Sequence, residues 1–172
     1  TLMGKKVLIT GAQGPISLNL VKELANFGPA HITLVANDDL ALSRIEKFLI
    51  QHHPLLSRKF ILSDCRTKTV TKEILDNARP DFIIICPFSQ APAMAEFNPA
   101  AVVETTLIPF LNILDVLEKH HLQNLIFISN TFAINAQSVL GQTYKLMEMI
   151  FTIYTQKNLF QKTKTLKAAD NS

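Results

Sequence analysis

Apolar and polar positions along this chain follow two periods. Short runs of apolar or β-branched residues recur, as in Val7-Leu8-Ile9-Thr10, Ile32-Thr33-Leu34-Val35 and Phe82-Ile83-Ile84-Ile85. Between them lie longer stretches in which apolar residues return every three or four positions. The runs predict strands over about 5–10, 31–35, 59–62, 81–86 and 124–129. The fourth is the most apolar and reads as a central parallel strand buried on both faces. The longer period predicts helices over about 15–27, 39–52, 69–78, 99–119 and 137–156.

Start and stop residues sharpen these elements. Gly28-Pro29 and Arg79-Pro80 close helices, and Asn37-Asp38-Asp39 offers a cap for the second. Asn98 and Pro99 suit the N-cap and first position of the fourth helix. Pro109 lies inside that helix and is expected to kink or interrupt it. Pro87 to Phe97 reads as a loop or broken helix. The resulting order, βαβαβαβαβα, predicts an α/β fold, a Rossmann-like doubly wound parallel sheet with helices on both faces. One domain is expected over 1–157, followed by a basic, flexible tail over 158–172 with no strand.

The first strand runs into Gly11-Ala12-Gln13-Gly14-Pro15-Ile16-Ser17. A glycine turn between a strand and a helix presents backbone N–H groups and a helix N-terminus, which suit phosphate. Two glycines of the three-position pattern are present, and Ser17 takes the third, small position. Two readings stand: a pyrophosphate cradle, or an inherited tight turn that binds nothing.

Composition narrows the classes. The chain has 172 residues, 48% hydrophobic and 18% charged, which suffices for one domain with a core. The net charge of +3 owes much to Lys157, Lys162, Lys164 and Lys167 near the end, so it gives no ground for nucleic-acid binding. Cys65 and Cys86 lack metal-site spacing, and two buried reduced thiols fit a cytoplasmic location. No uncharged apolar run of about 18 residues is present, so no membrane insertion is expected, nor is a signal peptide. The chain begins at Thr1 rather than Met, and the expectation is a piece of something longer. The His52-His53 and His120-His121 pairs point to different sides of their helices and suit helix C-termini better than a metal.

Several short segments, in order, resemble the short-chain dehydrogenase/reductase superfamily, and within it the CapD-like nucleotide-sugar dehydratases and epimerases of polysaccharide biosynthesis. Thr10-Gly11-Ala12-Gln13-Gly14 matches that branch's TGAxG. Glu96-Phe97-Asn98-Pro99-Ala100 is similar to its EENPAEA, and Leu111-Asn112-Ile113-Leu114-Asp115 to its LNVLDAA. Ala133-Ile134-Asn135 and Ser138-Val139-Leu140-Gly141 match AVNPTSVMGATK. The resemblance covers about residues 5–150. It implies NAD or NADP as cofactor, with Gly11, Gln13, Gly14, Pro15, Ile16, Asn37, Asp64 and Cys65 as its contacts. It also implies a homodimer through the last helix, whose apolar residues include Leu146, Met147, Met149, Ile150, Phe151 and Ile153. A core helix covered by other segments is the alternative.

The departures concern chemistry. The acidic residue that normally ends the second strand and holds the adenosine ribose is Ala36. Phe88 and two prolines stand where the family keeps small alanines, and are expected to crowd the cofactor's path. The family's tyrosine (methionine in this branch) and its lysine four residues on correspond to Leu140 and Tyr144. Lys145 is adjacent but turned about 100° away on a helix. Asn130-Thr131-Phe132 replaces a Thr-Asp-Lys. No catalytic residue is therefore assigned, although Asn130, Leu140 and Tyr144 hold the family's positions. Cys86 as a reactive thiol and Tyr144 as a displaced acid are the sharper alternatives to plain packing roles. Three functions remain open: a degenerate dinucleotide-binding domain, an active enzyme completed by other residues or a partner, and a nucleotide-free interaction module.

Overall fold

The computed structural model describes residues 2–87, 92–119, 124–156 and 162–168. Its strands are β1 (Lys6–Thr10), β2 (His31–Ala36), β3 (Arg58–Leu62), β4 (Phe82–Ile85), β5 (Asn124–Asn130) and β6 (Lys162–Ala168). They form one parallel sheet in the order β3-β2-β1-β4-β5-β6. That order reverses direction between β1 and β4, and in such sheets the crevice beyond the strand C-termini at that point is the binding site.

Helices cover both faces, because successive residues of each strand point to opposite sides. Val7, Ile9, Leu34 and Ile84 pack in one core with α1 (Pro15–Asn26) and α2 (Asp39–His52). Leu8, Val35, Ile83, Ile85, Leu125 and Phe127 face the other core. There they meet α3 (Lys68–Ala78), α6 (Ile108–Leu117) and α7 (Val139–Gln156). Phe127 carries the second core outward, with ring centroids 4.9 Å from Phe110 and 5.4 Å from Phe151. The doubly wound architecture is therefore as the apolar runs predict.

The long helix of the second half is interrupted before Pro109. After α4 (Pro92–Phe97), α5 (Pro99–Val102) passes into a π-helical turn at Val103–Leu107, and α6 resumes at Ile108. Pro109 has no N–H and its ring clashes with the carbonyl one α-turn back; widening the turn removes that conflict. Pro99–Leu117 is long and apolar enough by length and composition to cross a membrane, despite Glu104 and Asp115. In this fold half of it is buried, and Phe110, Ile113 and Leu114 pack onto the sheet.

The largest correction concerns the tail. Residues 162–168 are not a loose extension: β6 pairs along the whole of β5, from Asn124↔Lys162 to Asn130↔Ala168. Its KTKTLKA sequence is too polar to read as a buried strand. The free edge of β5 supplies backbone partners regardless of side-chain polarity, and lysines are common on edge strands because they discourage further pairing. Residues 162–168 thus belong to the sheet rather than to a strandless tail. Phe88 and the His120-His121 pair lie outside the described residues.

Candidate nucleotide-binding site

The glycine turn is held by backbone bonds. Gly11 has φ +70°, a left-handed conformation that favours glycine. The Ala12 N–H donates to the Val35 carbonyl at 3.0 Å, and the Gln13 N–H to the Gly11 carbonyl at 2.8 Å. Gly14 is the N-cap of α1 and Pro15 opens its first turn. Ser17 is buried, and its hydroxyl donates to the Gly14 carbonyl at 2.8 Å, so the third, small position braces the turn. A side chain on Gly14 would meet nothing within 4 Å. The first-turn N–H groups of α1 lack intrahelical partners and carry the positive end of the helix dipole.

Beyond the C-termini of β1 to β4 lies a cleft open to solvent. Gly11, Gln13, Asn37, Asp64 and Cys65 all line it, so the sheet gathers five of the eight positions that the resemblance implies. Gly14 at the N-cap, and Pro15 and Ile16 in the first turn of α1, follow directly and are not part of its lining. Thr10 lines it too, and its buried hydroxyl has no hydrogen-bond partner among the described residues. Gln13 Oε1 accepts the Asn37 N–H at 3.0 Å, linking the glycine turn to the exit of β2. Ala36, where an acid is usual, is buried.

The β3 exit is organised by Asp64. Its carboxylate accepts the Arg66 N–H at 3.0 Å and pairs with the Arg66 guanidinium at 2.5 Å. Burial pushes the Asp64 carboxyl up, but those Arg66 contacts outweigh it and hold the group below its ordinary value. Cys65 adopts φ +57°, unusual for a residue with a Cβ. The turn is pinned by buried Asn112 of α6, whose Nδ2 donates to the Cys65 carbonyl at 3.1 Å and the Arg66 carbonyl at 2.8 Å. Burial pushes the Cys65 thiol up to about 11 and the Cys86 thiol up to about 12. Both thiols are buried, and the raised values favour their protonated forms, as expected of cysteines that pack as small hydrophobes.

Sequence reasoning missed the far wall, which is formed by Thr105, Thr106, Pro109, Phe110 and Ile113. Pro109 was the available signal, since π-helical turns are frequent at functional sites. Asn112 was another: a lone amide on an otherwise apolar helix face needs buried partners.

The family's catalytic positions sit elsewhere. Leu140 is fully buried in the core beside Met147 and Phe151. Asn130 caps a short 3-10 turn, accepting the Phe132 N–H at 3.0 Å. Tyr144 is buried, and its hydroxyl donates to the Pro87 carbonyl at 2.9 Å. None of the three lines the cleft, although Pro87 does. His52 stacks on Phe48 with centroids 4.4 Å apart and bonds to the Phe48 carbonyl, a helix-end role.

The chain is similar to capsular polysaccharide biosynthesis protein CapD of Staphylococcus aureus, 21% identical over 165 residues, covering 91% of this chain and 26% of CapD. An uncharacterized membrane protein of Methanocaldococcus jannaschii is 28% identical over 148 residues, 85% of this chain and 42% of that protein. In fold it resembles a UDP-glucose 4-epimerase from Stenotrophomonas maltophila, solved with bound NAD and formylated UDP-arabinopyranose. That TM-score is 0.82 at 16% identity, covering 95% of this chain and 52% of the epimerase. The chain thus spans between a quarter and about half the length of these relatives. It is a nucleotide-sugar epimerase/dehydratase-like Rossmann domain, and since the family of polysaccharide biosynthesis proteins matches it over residues 7–168, it belongs to that family.

Proposed function

We propose that this chain binds a nicotinamide dinucleotide in the cleft at the β1/β4 switch point and does not itself carry out the family's hydride chemistry. The observation that carries this reading is the contrast between the two halves of the site. The cradle side is intact: Gly11 holds the turn, Gly14 leaves open approach to the backbone, and the buried Thr10 hydroxyl has no partner among the described residues. Such a donor-rich, side-chain-free surface suits a pyrophosphate, with Gly11, Gly14, Pro15 and Ile16 around it and Asn37, Asp64 and Cys65 on the adenosine side. Among the described residues, the lining of the reaction side offers no side chain suited to carry a proton at neutral pH. Among the lining residues the titratable groups are Asp64, which stays ionised beside Arg66, and two thiols that stay protonated.

Self-association through α7 belongs to the same reading. Leu146, Met149 and Ile153 are 43%, 56% and 54% exposed and recur at helical spacing, forming an apolar stripe that a second copy would cover. The cytoplasm fits the two free buried thiols.

Isothermal titration of the purified chain with NAD⁺ and NADP⁺ tests the first statement, and binding is expected. Turnover of a UDP-sugar by the chain alone would overturn the second. Light scattering is expected to show a dimer that Met149→Glu dissociates; a monomer at all accessible concentrations would remove the third.

A further inference from the structure

The exit of β2 carries a hydrogen-bonding device in place of the usual carboxylate. Asn37 N–H is a donor, so the Gln13 carboxamide must turn its oxygen towards it, as the 3.0 Å contact records. The two Nε2 donors are not needed for that bond. Gln13, Ala36 and Asn37 together line the cleft.

The charges around this corner are already engaged or directed elsewhere. Asp38 caps α2, its Oδ1 accepting the Ala41 N–H at 3.1 Å. Asp39 lies in the first turn of α2 and is not part of the cleft's lining. Asp64, the one carboxylate among the lining residues, is neutralised by Arg66 at 2.5 Å. A carboxylate at the end of β2 accepts from ribose hydroxyls and repels a 2′-phosphate. A neutral amide can donate to a hydroxyl oxygen or to a phosphate oxygen, and it carries no charge that repels a 2′-phosphate.

Resting on the reading that a dinucleotide binds here, we infer that the Gln13–Asn37 pair is the specificity-determining element for the adenosine ribose. It makes the site indifferent to a 2′-phosphate, so that NAD⁺ and NADP⁺ are both ligands. This follows from the juxtaposition of an amide latch, a buried alanine and a self-neutralised aspartate in one corner.

The test is calorimetric titration of the whole chain with NAD⁺ and with NADP⁺ at one ionic strength. Dissociation constants within about tenfold of each other are expected. Gln13→Glu keeps an acceptor for the Asn37 N–H while replacing the amine donors with charge. It is expected to weaken NADP⁺ by at least about tenfold through like-charge repulsion while leaving NAD⁺ bound. Asn37→Asp, at an exposed position, should shift the ratio in the same direction and serves if Gln13→Glu does not fold. A wild-type preference greater than about tenfold, or a ratio that neither variant moves, overturns the inference while the dinucleotide reading survives. Failure of both nucleotides to bind the folded wild-type chain removes that reading, and the inference falls with it.

Discussion

The hydroxyl of Tyr144 donates to the carbonyl oxygen of Pro87 at 2.9 Å and so ties α7 to the chain leaving β4. Residues 86 and 87 line the cleft, so a side chain outside the cleft fixes part of its wall. Tyr144 thereby acts on the site through Pro87, as a positioning residue. Tyr144→Phe keeps the buried ring and removes the hydrogen bond to the Pro87 carbonyl. A stability loss of about 1 kcal/mol is expected, with weaker NAD⁺ binding. Denaturant unfolding measures the first and calorimetric titration the second. Unchanged binding alongside the stability loss would mean that the Pro87 wall does not touch the ligand.

Two glycines should respond oppositely to a side chain. A Cβ on Gly141 would lie 2.7 Å from the Phe132 backbone oxygen and 3.2 Å from the Ala136 Cα. Neither is the flexible end of a side chain, so Gly141→Ala should cost about 1–3 kcal/mol through overpacking. Gly14 has open space around the same position and sits at the N-cap of α1, where serine is favoured. Gly14→Ser should leave thermal stability unchanged or slightly raised, yet weaken dinucleotide binding, because the new hydroxyl caps the N–H groups a phosphate would use. Paired melting curves and titrations of the two variants separate a packing glycine from an access glycine.

How far the site was legible follows from the kind of force at each place. Gly11, Gln13, Asn37, Asp64 and Cys65 could be named because strand ends and a glycine turn are local features. The far wall could not, because Thr105, Thr106 and Phe110 reach the cleft only through a π-helical turn whose register is set by Pro109. The ends of β1 to β5 were readable to within one or two residues from their apolar runs. β6 was not, since its place depends on the backbone edge of β5 rather than on its own side chains. Tyr144 was readable as a departure from a lysine, but its partner, a carbonyl 57 positions away, was not.

Asp115 joins α6 to α3 and α7. Its carboxylate pairs with Lys68 at 2.5 Å and accepts the Tyr154 hydroxyl at 2.5 Å. Burial first, and then Asp115, push the Tyr154 hydroxyl up to about 12. Lys68, and then Tyr154, hold the Asp115 carboxyl below its ordinary value. A raised folded value means that the Tyr154 contribution is complete below the unfolded tyrosine value, about 10, and is lost as pH rises through about 12. For Asp115 the sign reverses: its contribution is present above the ordinary carboxylate value and lost as pH falls through the depressed one. The chain has two tyrosines, so Tyr144→Phe isolates Tyr154 for ultraviolet titration. Its ionisation should fall near about 12 and move down in Asp115→Asn. A Tyr154 that titrates as an ordinary phenol in the parent would contradict the contact.

The edge pairing of β6 predicts the effect of removing the last sixteen residues, 157–172. If 162–168 were a loose tail, truncation after Gln156 would be neutral. In the sheet observed, it strips seven paired residues from β5 and leaves a central strand as an exposed edge. Phe127 and Ile128 lie in β5, so the new edge is apolar as well as unpaired. The truncated chain should therefore melt several degrees lower and aggregate on heating at concentrations the full chain tolerates. Each 1 kcal/mol lost lowers Tm by roughly 2–4 °C in a domain of this size. In the full chain, amides on the β5-facing side of 162–168 should exchange slowly, as paired strand amides do. Rapid exchange throughout that segment, together with an unchanged melting temperature after truncation, would remove β6 from the fold.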